Sequence, residues 1–504
     1  MVRIDKNLHE LDRAMNNGIK MPIRLALWIS FFVLIGFSTQ QAGVHQAYMH
    51  TDLTEKVDAM FEQWDREDSP GAALGIFKDG RIIYARGYGI ANLEYSIPWT
   101  PQTVSRTGSI SKQFTAMCIA ILIEQGKLTV EDNIQTFIPG WPDYGDPVKI
   151  KHLLYHTSGI REYLTLVELL GKPEGSGYVY TPRELVDVLC SQKELNFRPG
   201  EKYSYSNSGY FLLSEIISRL SGMKTSAFAK KHIFDPLGMK NTHFHDNPNM
   251  IVKNRAYGYA QEENGGYRLN ILRLEVIGDL GVFTTVEDFL KWDQNFYKNK
   301  LGEGSQDLIK TMLTRGKLNN GEEISYAFGL RTENYRGLRT ISHGGSVVGY
   351  QAFYLQFPDQ KFSIVILSNL NTFIPGRIAR NIADLYLADQ FTEPPDSRQR
   401  QGPSKQSPKP ISLSLSQLKE YAGKYYSDEL KISYTLTVEN KNLILTLRET
   451  PYNLTAYSPD NFIWRSYESE FELEFTRNKE NKVTGFEIRE DIVRHIQFKK
   501  NEDY

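Results

Sequence analysis

The sequence predicts an α+β domain, in which an antiparallel sheet is flanked by helices and joined to a helical subdomain, followed by a small all-β domain. Three observations lead to this prediction. Strand pairs lie near both ends of residues 52–390, and helical patterns fill the chain between them. A proline-rich linker covers 391–411. Beyond it, at 412–504, short alternating runs indicate a small antiparallel sheet or barrel.

Local signals define the first elements along the chain. An amphipathic pattern predicts a helix over 51–67, and AALGIFKDGRIIYARGYG predicts two strands joined at Asp79-Gly80. A helix is expected from Ser109 to a glycine cap at Gly126. The sequence TPRE at 181–184 is a capping box that starts another helix.

Later segments complete the two predicted domains. A helix is expected from about Tyr210 to Leu220, and FYLQFPDQKFSIVILSNL, at 353–370, reads as two apolar strands around a Pro-Asp turn. A last helix is expected near 375–389. After the linker, strict alternation marks the strands YTLTV (434–438), LILTL (443–447), FELEF (471–475) and GFEI (485–488).

The N-terminal segment, residues 1–43, is excluded from the fold. Residues 25–37 read LALWISFFVLIGF, with Arg24 before them and small residues after them. That order is typical of a secretory signal peptide, and the run is short for a membrane span of about 20 residues. An uncleaved N-terminal membrane anchor is the alternative. Either way we expect an exported protein, periplasmic, secreted or membrane-anchored, whose body lies outside the cytoplasm.

Composition excludes several classes of function. Apolar residues make up 40% of the chain and charged residues 24%, as in globular proteins with a sizeable core. The formal net charge of -1 gives no basic field, so we expect no nucleic-acid partner. Cys118 and Cys190 lie in apolar helical patterns and are expected to be free thiols.

The pair Ser109 and Lys112 carries the clearest chemistry. Residues three apart share one face of a helix. Serine is a poor nucleophile until a base takes its proton, and lysine can be that base when its pKa is lowered by burial or by positive charge nearby. The N–H groups at a helix start can also stabilise an oxyanion. Alone, the spacing is a weak signal because it occurs often by chance.

Two later segments add candidate residues. Tyr205 and Asn207 directly precede a helix; a tyrosine near a lysine can act as a base or relay a proton, and an asparagine amide can hold a substrate carbonyl. The sequence HGGS, from His343 to Ser346, is expected at the start of a strand. Gly345 and its neighbour let a substrate approach the strand edge, and the Ser346 N–H is a second candidate oxyanion donor.

These three segments, in this order, resemble the serine β-lactamase and penicillin-binding-protein superfamily. The most similar branch contains class C β-lactamases, D-alanyl-D-alanine carboxypeptidases and esterases. Further similar segments are GYGIANLE, LLYHTSGI, IFDPLGMKNTHF, RAYGY and GDLGVFTTVEDFLKW. The resemblance covers 52 to about 390, and a smaller β domain after the catalytic domain is similar to many members.

The resemblance implies a role for each matching residue. Ser109 becomes the acyl-accepting nucleophile, Lys112 its base partner and Tyr205 the general base or acid. The implied substrate-binding residues are Asn207, His343, Gly345 and Ser346. The N–H groups of Ser109 and Ser346 become the oxyanion hole. No metal and no organic cofactor is implied.

One departure bears on the substrate. His343 stands where many relatives have the lysine of Lys-Thr-Gly, and a histidine is largely neutral at pH 7. Attraction to a substrate carboxylate is therefore expected to be weaker, and to recover at lower pH. We expect a serine hydrolase that acts through an acyl-enzyme on an ester, an amide or a D-amino-acid peptide, such as a cell-wall peptide. The alternative is a catalytically weak or silent binding or scaffold protein with the same fold.

Other conspicuous residues receive structural interpretations. The loop HTSG at 156–159 is expected to be structural, and so are His243, His245 and Asp246, which otherwise suggest a metal site. NGG at 264–266 is expected to be a hairpin turn, because no helix follows it.

Overall fold

The computed structural model describes residues 51–172, 178–273, 275–395, 408–466 and 469–501. The predicted leader at 1–43 and the central part of the predicted linker, 396–407, lie outside these residues. The chain forms two units, Met1–Met60 and Phe61–Tyr504. None of the helices in the described ranges is long and apolar enough to cross a membrane.

In the first unit the structure describes one helix, α1 (Thr51–Ala59). It is shorter than the predicted helix over 51–67. The reason is local: the Met60 N–H donates to the Val57 carbonyl only three residues back, at 3.0 Å. Such a bond tightens the chain into a turn and ends the α-helical ladder.

The second unit begins with a sheet of antiparallel strands. The strands of residues 61–395 are β1 (Ala72–Lys78), β2 (Arg81–Tyr88), β3 (Ile90–Asn92), β4 (Ile97–Pro98), β5 (Ser105–Arg106), β6 (His243–Phe244), β7 (Tyr259–Gln261), β8 (Tyr267–Leu269), β9 (Val282–Thr284), β10 (Arg331–Tyr335), β11 (Leu338–Val347), β12 (Tyr350–Phe357) and β13 (Phe362–Ser368). The main sheet has the order β10-β11-β12-β13-β1-β2. Since β1 pairs with β13, the hairpins from both ends of the domain build one sheet, as predicted.

The predicted turns are found at the predicted residues. Asp79 and Gly80 have φ values of 50° and 73°, which a tight turn between twisted strands requires. The β7–β8 pair encloses the NGG segment, which is therefore a hairpin turn.

Helices cover this sheet and form the helical subdomain. The α-helices among the described residues of 61–395 are α2 (Lys112–Glu124), α3 (Ile150–Leu154), α4 (Tyr163–Leu169), α5 (Pro182–Cys190), α6 (Asn207–Ser221), α7 (Thr225–Ala229), α8 (Asp235–Leu237), α9 (Val286–Tyr297), α10 (Gln306–Leu313) and α11 (Pro375–Tyr386). Helices α9 and α11 pack on the sheet, while α3, α6 and α10 contact one another or α2. The predicted capping box starts α5: Thr181 N–H donates to Glu184 at 2.8 Å, and Glu184 N–H to the Thr181 hydroxyl at 3.3 Å.

The C-terminal region is a closed antiparallel barrel. After α12 (Leu415–Tyr421) follow β14 (Gly423–Ser427), β15 (Ile432–Glu439), β16 (Asn442–Leu447), β17 (Thr450–Ser458), β18 (Asn461–Arg465), β19 (Glu470–Arg477), β20 (Val483–Glu490) and β21 (Val493–Lys500). Pairing of β14 with β21 closes the ring. The alternating residues place Tyr434, Trp464, Phe486 and Phe498 in the buried interior. The predicted all-β domain is therefore confirmed.

Candidate active site

The turn before α2 sets the position of Ser109. The 3-10 turn Gly108–Ser111 leads directly into α2. The Ser111 hydroxyl donates to the Gly108 carbonyl at 2.6 Å and accepts from the Val282 N–H of β9 at 2.9 Å. Gly108 has a φ of 53°, a conformation that favours glycine. The turn is thus fixed from β9, and it leaves Ser109 half-buried at the edge of a cleft.

Lys112 is fully buried directly behind Ser109. Its ammonium nitrogen donates to Ser109 Oγ at 3.1 Å, to Asn207 Oδ1 at 2.6 Å and to the Asp279 carbonyl at 2.9 Å. Burial lowers the pKa of Lys112 to about 8, although the charges of Asp279 and Glu162 act in the opposite direction. A lysine with this pKa is partly neutral near pH 8 and can then accept a proton from Ser109.

Tyr205 lies on the other side of the ammonium group. Its ring centroid is 4.9 Å from Lys112 Nζ. Burial raises the pKa of Tyr205 well above its usual value, although a hydrogen bond with Ser109 opposes that rise. The phenol is therefore protonated at neutral pH. The predicted structural loop contributes His156, whose buried ring packs behind Tyr205 with a centroid distance of 4.2 Å.

Two buried carboxyl groups that we did not select from the sequence support this pair. Glu162 accepts from the Asn207 N–H at 2.6 Å, and Asp279 accepts from the Tyr163 hydroxyl at 2.9 Å. Burial raises the pKa of Asp279 to about 6. Asp279 lies in GDLG, one of the segments on which the family resemblance rests, so that resemblance was the available signal. No local pattern marked Glu162.

Strand β11 carries the HGGS segment. The strand begins at Leu338, so His343 lies inside it and not at its start, which corrects the prediction. The cause is the hairpin with β10, in which residues 338–342 pair with residues 331–335. That hairpin extends the main sheet by one strand on the side of the cleft.

The second half of β11 runs directly beside the turn that carries Ser109. A Cβ atom on Gly345 would lie 1.9 Å from the Thr107 carbonyl oxygen and 3.1 Å from the Ser109 nitrogen. A Cβ atom on Gly108 would lie 2.8 Å from the Ser346 nitrogen. Only glycine fits at these two contacts, and the two backbone N–H groups predicted to hold an oxyanion lie in the same small region.

His343 is held in its neutral form within the protein. Its Nδ1 lies 2.5 Å from the Gly344 carbonyl, which can only accept, so Nδ1 carries the proton. Its Nε2 then accepts from the Tyr326 hydroxyl at 2.9 Å. Burial, with the charges of Lys112 and Arg331, lowers the pKa of His343 to about 3. The expectation that moderately lower pH restores a cation here is therefore wrong.

The cleft in front of Ser109 is an open cavity of about 440 Å³. One wall is the second half of β11, and the other contains Phe353 and Pro375. Arg331 is the one charged side chain among the described residues that line it. Its guanidinium donates to the Tyr203 hydroxyl at 3.1 Å and lies 3.7 Å from Glu333. Arg331 was not predicted, because a lone arginine in a strand carries no signal.

The described residues do not bring together three metal-ligating side chains of the histidine, cysteine or carboxylate type. His243 and His245 face each other at 3.4 Å and pack against the Phe283 ring. Burial and the charges of Arg106 and Arg255 lower the pKa of His245 to about 3. These contacts agree with the structural interpretation of the two histidines.

Comparison with known proteins gives the same picture. A family model described as Beta-lactamase matches residues 57–389, and a second model, a domain of unknown function (DUF3471), matches residues 407–501. Penicillin-binding protein 4* of Bacillus subtilis (strain 168) is 28% identical over 461 residues, which are 88% of this chain and 98% of that protein.

Two further relatives cover different shares of the chain. A D-aminopeptidase of Gluconobacter oxydans (strain 621H) is 28% identical over 309 residues, which are 60% of this chain and 56% of that enzyme. The structure of the octameric penicillin-binding protein homologue from Pyrococcus abyssi superposes with a TM-score of 0.60 at 26% identity, over 89% of this chain and 100% of that one.

The match to the Beta-lactamase model covers well over half of the chain. It includes the site residues described above, from Ser109 to Ser346. The main sheet and its helices have the architecture that the resemblance implied. From sequence and structure together, the chain belongs to the β-lactamase family.

Proposed function

We propose that this protein is a serine hydrolase that forms a covalent acyl-enzyme at Ser109. The observation that carries the proposal is the contact of Ser109 Oγ with the amine of a fully buried Lys112, at 3.1 Å. Burial lowers the pKa of Lys112 to about 8, so a working fraction of the amine is neutral near neutral pH. Serine hydroxyl and amine are thus within proton-transfer distance.

In the first step Lys112 takes the proton of Ser109 Oγ, and the oxygen attacks the substrate carbonyl carbon. The carbonyl oxygen becomes an oxyanion that accepts from the N–H groups of Ser109 and Ser346, the oxyanion donors expected from the family resemblance. The protonated lysine is stabilised by Asn207 Oδ1 and the Asp279 carbonyl. These fixed acceptors offset the cost of an ammonium in a buried site.

The proton then leaves through Tyr205. Its phenol is protonated at neutral pH, its ring lies 4.9 Å from the ammonium nitrogen, and it lines the cleft together with Ser109. It donates to the departing amine or alcohol and is reprotonated by Lys112. In the second step a water molecule gives its proton back along the same path, attacks the acyl carbon and releases the acid, which restores Ser109. Asn207 is expected to hold a substrate carbonyl, and its amide nitrogen Nδ2 would donate this hydrogen bond.

The proposed substrates are small esters and amides, including peptides that end in a free carboxylate. Among the described residues that line the cleft, Arg331 is the charged one, and it can attract a substrate carboxylate. These lining residues contain no carboxylate that would attract a free amine. Relatives named as a penicillin-binding protein and a D-aminopeptidase are consistent with a D-amino-acid peptide or cell-wall peptide as substrate. We propose no nucleic-acid partner and no cofactor.

We also propose that the protein is exported, as a periplasmic, secreted or membrane-anchored enzyme. The support is the sequence alone: Arg24, the apolar run at 25–37 and the small residues after it. N-terminal sequencing of the protein purified from its own host distinguishes the two forms. A mature protein that starts between Ser38 and Gly43 indicates cleavage, and one that keeps the apolar run indicates an anchor.

Intact-protein mass spectrometry tests the proposed chemistry. A fluorophosphonate probe should add one adduct to the native protein, on Ser109, and none to Ser109→Ala. A p-nitrophenyl ester should be turned over by the native protein only. An adduct on Ser158 or Ser346 would show that the nucleophile is misassigned. A folded protein that no probe labels would favour the silent binding protein.

A further inference from the structure

The tripeptide Arg161-Glu162-Tyr163, at the start of α4, is one of the places where the catalytic domain contacts the barrel. The side chain of Arg161 is fully buried and donates to the carboxylate of Glu429, in the loop between β14 and β15. The Glu162 N–H donates to the Ile492 carbonyl, in the turn between β20 and β21, at 3.2 Å. Asn196 adds a bond to the same carbonyl at 2.6 Å. Two loops of the barrel therefore hold this tripeptide.

The same tripeptide holds the start of α6 from the other side. Glu162 Oε2 accepts from the Asn207 N–H at 2.6 Å and from the Ser206 hydroxyl at 2.9 Å. The Ser208 hydroxyl donates to the Arg161 carbonyl at 2.7 Å. These bonds hold Ser206 and the first residues of α6 against the tripeptide that the barrel also contacts.

Tyr163, the third residue of the tripeptide, contacts Asp279, the residue whose carbonyl accepts a hydrogen bond from the catalytic lysine. The Tyr163 hydroxyl donates to Asp279 Oδ2 at 2.9 Å. The acceptors of Lys112 Nζ apart from Ser109 are Asn207 Oδ1 and the Asp279 carbonyl. Each of them belongs to a residue that a side chain of the tripeptide holds. A displacement of the tripeptide would therefore move both acceptors at once.

We propose that the C-terminal barrel positions the catalytic lysine: Glu429 and Ile492 fix Arg161-Glu162-Tyr163, which fixes the two acceptors of the Lys112 ammonium group. The inference rests on the proposed function of Ser109 and Lys112. Glu162 and Tyr163 are positioning residues, because they do not line the cleft in front of Ser109. In this arrangement the barrel contributes to catalysis, because it helps to hold the catalytic lysine in place.

A pH profile can report this arrangement, because the groups around Lys112 set its pKa. The carboxylates of Glu162 and Asp279 favour the ammonium form. The rings of Tyr205 and Tyr210 lie 4.9 and 5.7 Å from Nζ. The remaining neighbours are the imidazoles of His156 and His343, which burial keeps neutral. Removing a charge or an acceptor from the ammonium therefore lowers the pKa of Lys112.

The test measures the second-order rate of Ser109 labelling by a fluorophosphonate from pH 5.5 to 10, in full-length protein. Glu429→Ala and Asn196→Ala loosen the barrel contact without touching Lys112, and Glu162→Gln removes the charge. The matched control is Ser469→Ala, which removes a 2.7 Å bond from the barrel to Glu168 at the other end of α4. Asn196 lies at the surface and is half-buried, so this variant keeps the test available if Glu429→Ala does not fold.

We expect Glu429→Ala and Asn196→Ala to lower the plateau rate by about ten- to a hundredfold, the loss that a small misplacement of catalytic groups causes. Their acid limb should move to lower pH, as in Glu162→Gln, while Ser469→Ala keeps the native profile. Native rates and limbs in both barrel-contact variants would overturn the inference, and so would an equal effect of Ser469→Ala. A smaller amount of labelled protein, with the acid limb of the pH profile unchanged, would indicate ordinary destabilisation. That result would also overturn the inference. A native protein without label on Ser109 would instead contradict the proposed function.

Discussion

The Tyr326 hydroxyl lies 2.9 Å from His343 Nε2 and donates to it. This bond, with the one from Nδ1 to the Gly344 carbonyl, uses both nitrogens of the imidazole inside the protein. His343 therefore offers neither a charge nor a free donor to a substrate. In place of His343, the cleft presents the guanidinium of Arg331 on the neighbouring strand β10.

The first prediction concerns recognition of a carboxylate. Arg331→Gln should lower kcat/KM for a cephalosporin about ten- to a hundredfold, because a charge-assisted hydrogen bond contributes roughly 1.5–3 kcal/mol. An uncharged acetate ester should be little affected. The control is Arg380→Gln, which removes a charge over the Phe353 ring but outside the residues that line the cleft. Equal losses for both substrates would contradict a role of Arg331 in carboxylate binding.

His343 gives a second test of the same selectivity. Because burial lowers its pKa to about 3, the ratio of kcat/KM for the cephalosporin to that for the ester should not rise between pH 7.5 and pH 5.5. His343→Lys should raise this ratio, since lysine brings a charge to the cleft. A ratio that rises on acidification of the native enzyme, and not of His343→Gln, would show that the imidazole becomes protonated in this range.

The third prediction concerns the pH dependence of acylation. The pKa of Lys112 is lowered to about 8, and in the proposed mechanism the neutral amine is the base. The rate of acylation should therefore rise with pH and level off above about 8. Tyr205 adds no alkaline limb below pH 10, because burial raises the pKa of its phenol. Labelling rates from pH 5.5 to 10 check this, and a rise that continues to pH 10 would indicate that the phenolate of Tyr205 is the base instead.

Local signals made much of the fold predictable. The turn at Asp79-Gly80, the capping box at 181–184 and the alternating barrel strands each depend on residues close in sequence, so the sequence reports them directly. The pair that closes the barrel, β14 with β21, joins residues far apart in the chain. The sequence alone therefore did not decide between an open sheet and a closed barrel. The predicted length of α1 was wrong for a different reason, because the apolar pattern of the sequence continues beyond the last helical hydrogen bond.

The site divides in the same way. Ser109 and Lys112 lie three residues apart, and this spacing, together with the two later motif segments, predicted their contact. Glu162 and Tyr326 act through bonds to Asn207 and His343 that only the tertiary structure creates. Their types, one carboxylate and one phenol among many, mark no position in a sequence. The supporting residues of a buried site are therefore harder to predict than the residues of its motifs.

The fourth prediction concerns a buried carboxyl group beneath the sheet. Asp293 of α9 accepts from the hydroxyls of Tyr354, at 2.7 Å, and Ser363, at 2.5 Å, and from Gln356 at 3.0 Å. Burial raises its pKa from 3.8 to about 6. The folded state then holds a proton that the unfolded state loses, so stability falls as pH rises from about 4 to 6. Asp293→Asn keeps the acceptor oxygen but cannot ionise.

Chemical denaturation of both proteins at pH 4 and pH 6.5 measures this effect. The native protein should lose stability relative to Asp293→Asn over this interval, by at most about 3 kcal/mol. Asp293→Ala leaves the buried donors without their acceptor and should lower the free energy of unfolding by about 2–4 kcal/mol. The exposed Asp307 supplies the control, for which replacement by alanine should change little. A constant difference between the native and Asn proteins at the two pH values would contradict the raised pKa.

The fifth prediction compares two adjacent glycines of β11. A Cβ atom on Gly345 would lie 1.9 Å from the Thr107 carbonyl, a backbone atom that cannot move without displacing the Ser109 turn. Outside its chain neighbours, a Cβ atom on Gly344 would lie nearest to Phe353, at 3.5 Å, which is ordinary van der Waals contact. Gly345→Ala should therefore separate the N–H groups of Ser109 and Ser346, while Gly344→Ala should leave them in place.

The expected loss follows from the cost of a missing oxyanion donor, about a hundred- to a thousandfold in kcat. Gly345→Ala should lose this much on esters and amides alike, because the oxyanion forms with every substrate, and Gly344→Ala should stay near the native rate. Thermal unfolding of both variants shows whether the fold survives. If the two variants lose activity equally, the close contact of β11 with the Ser109 turn does not build the oxyanion hole, and its donors must then lie elsewhere in the cleft.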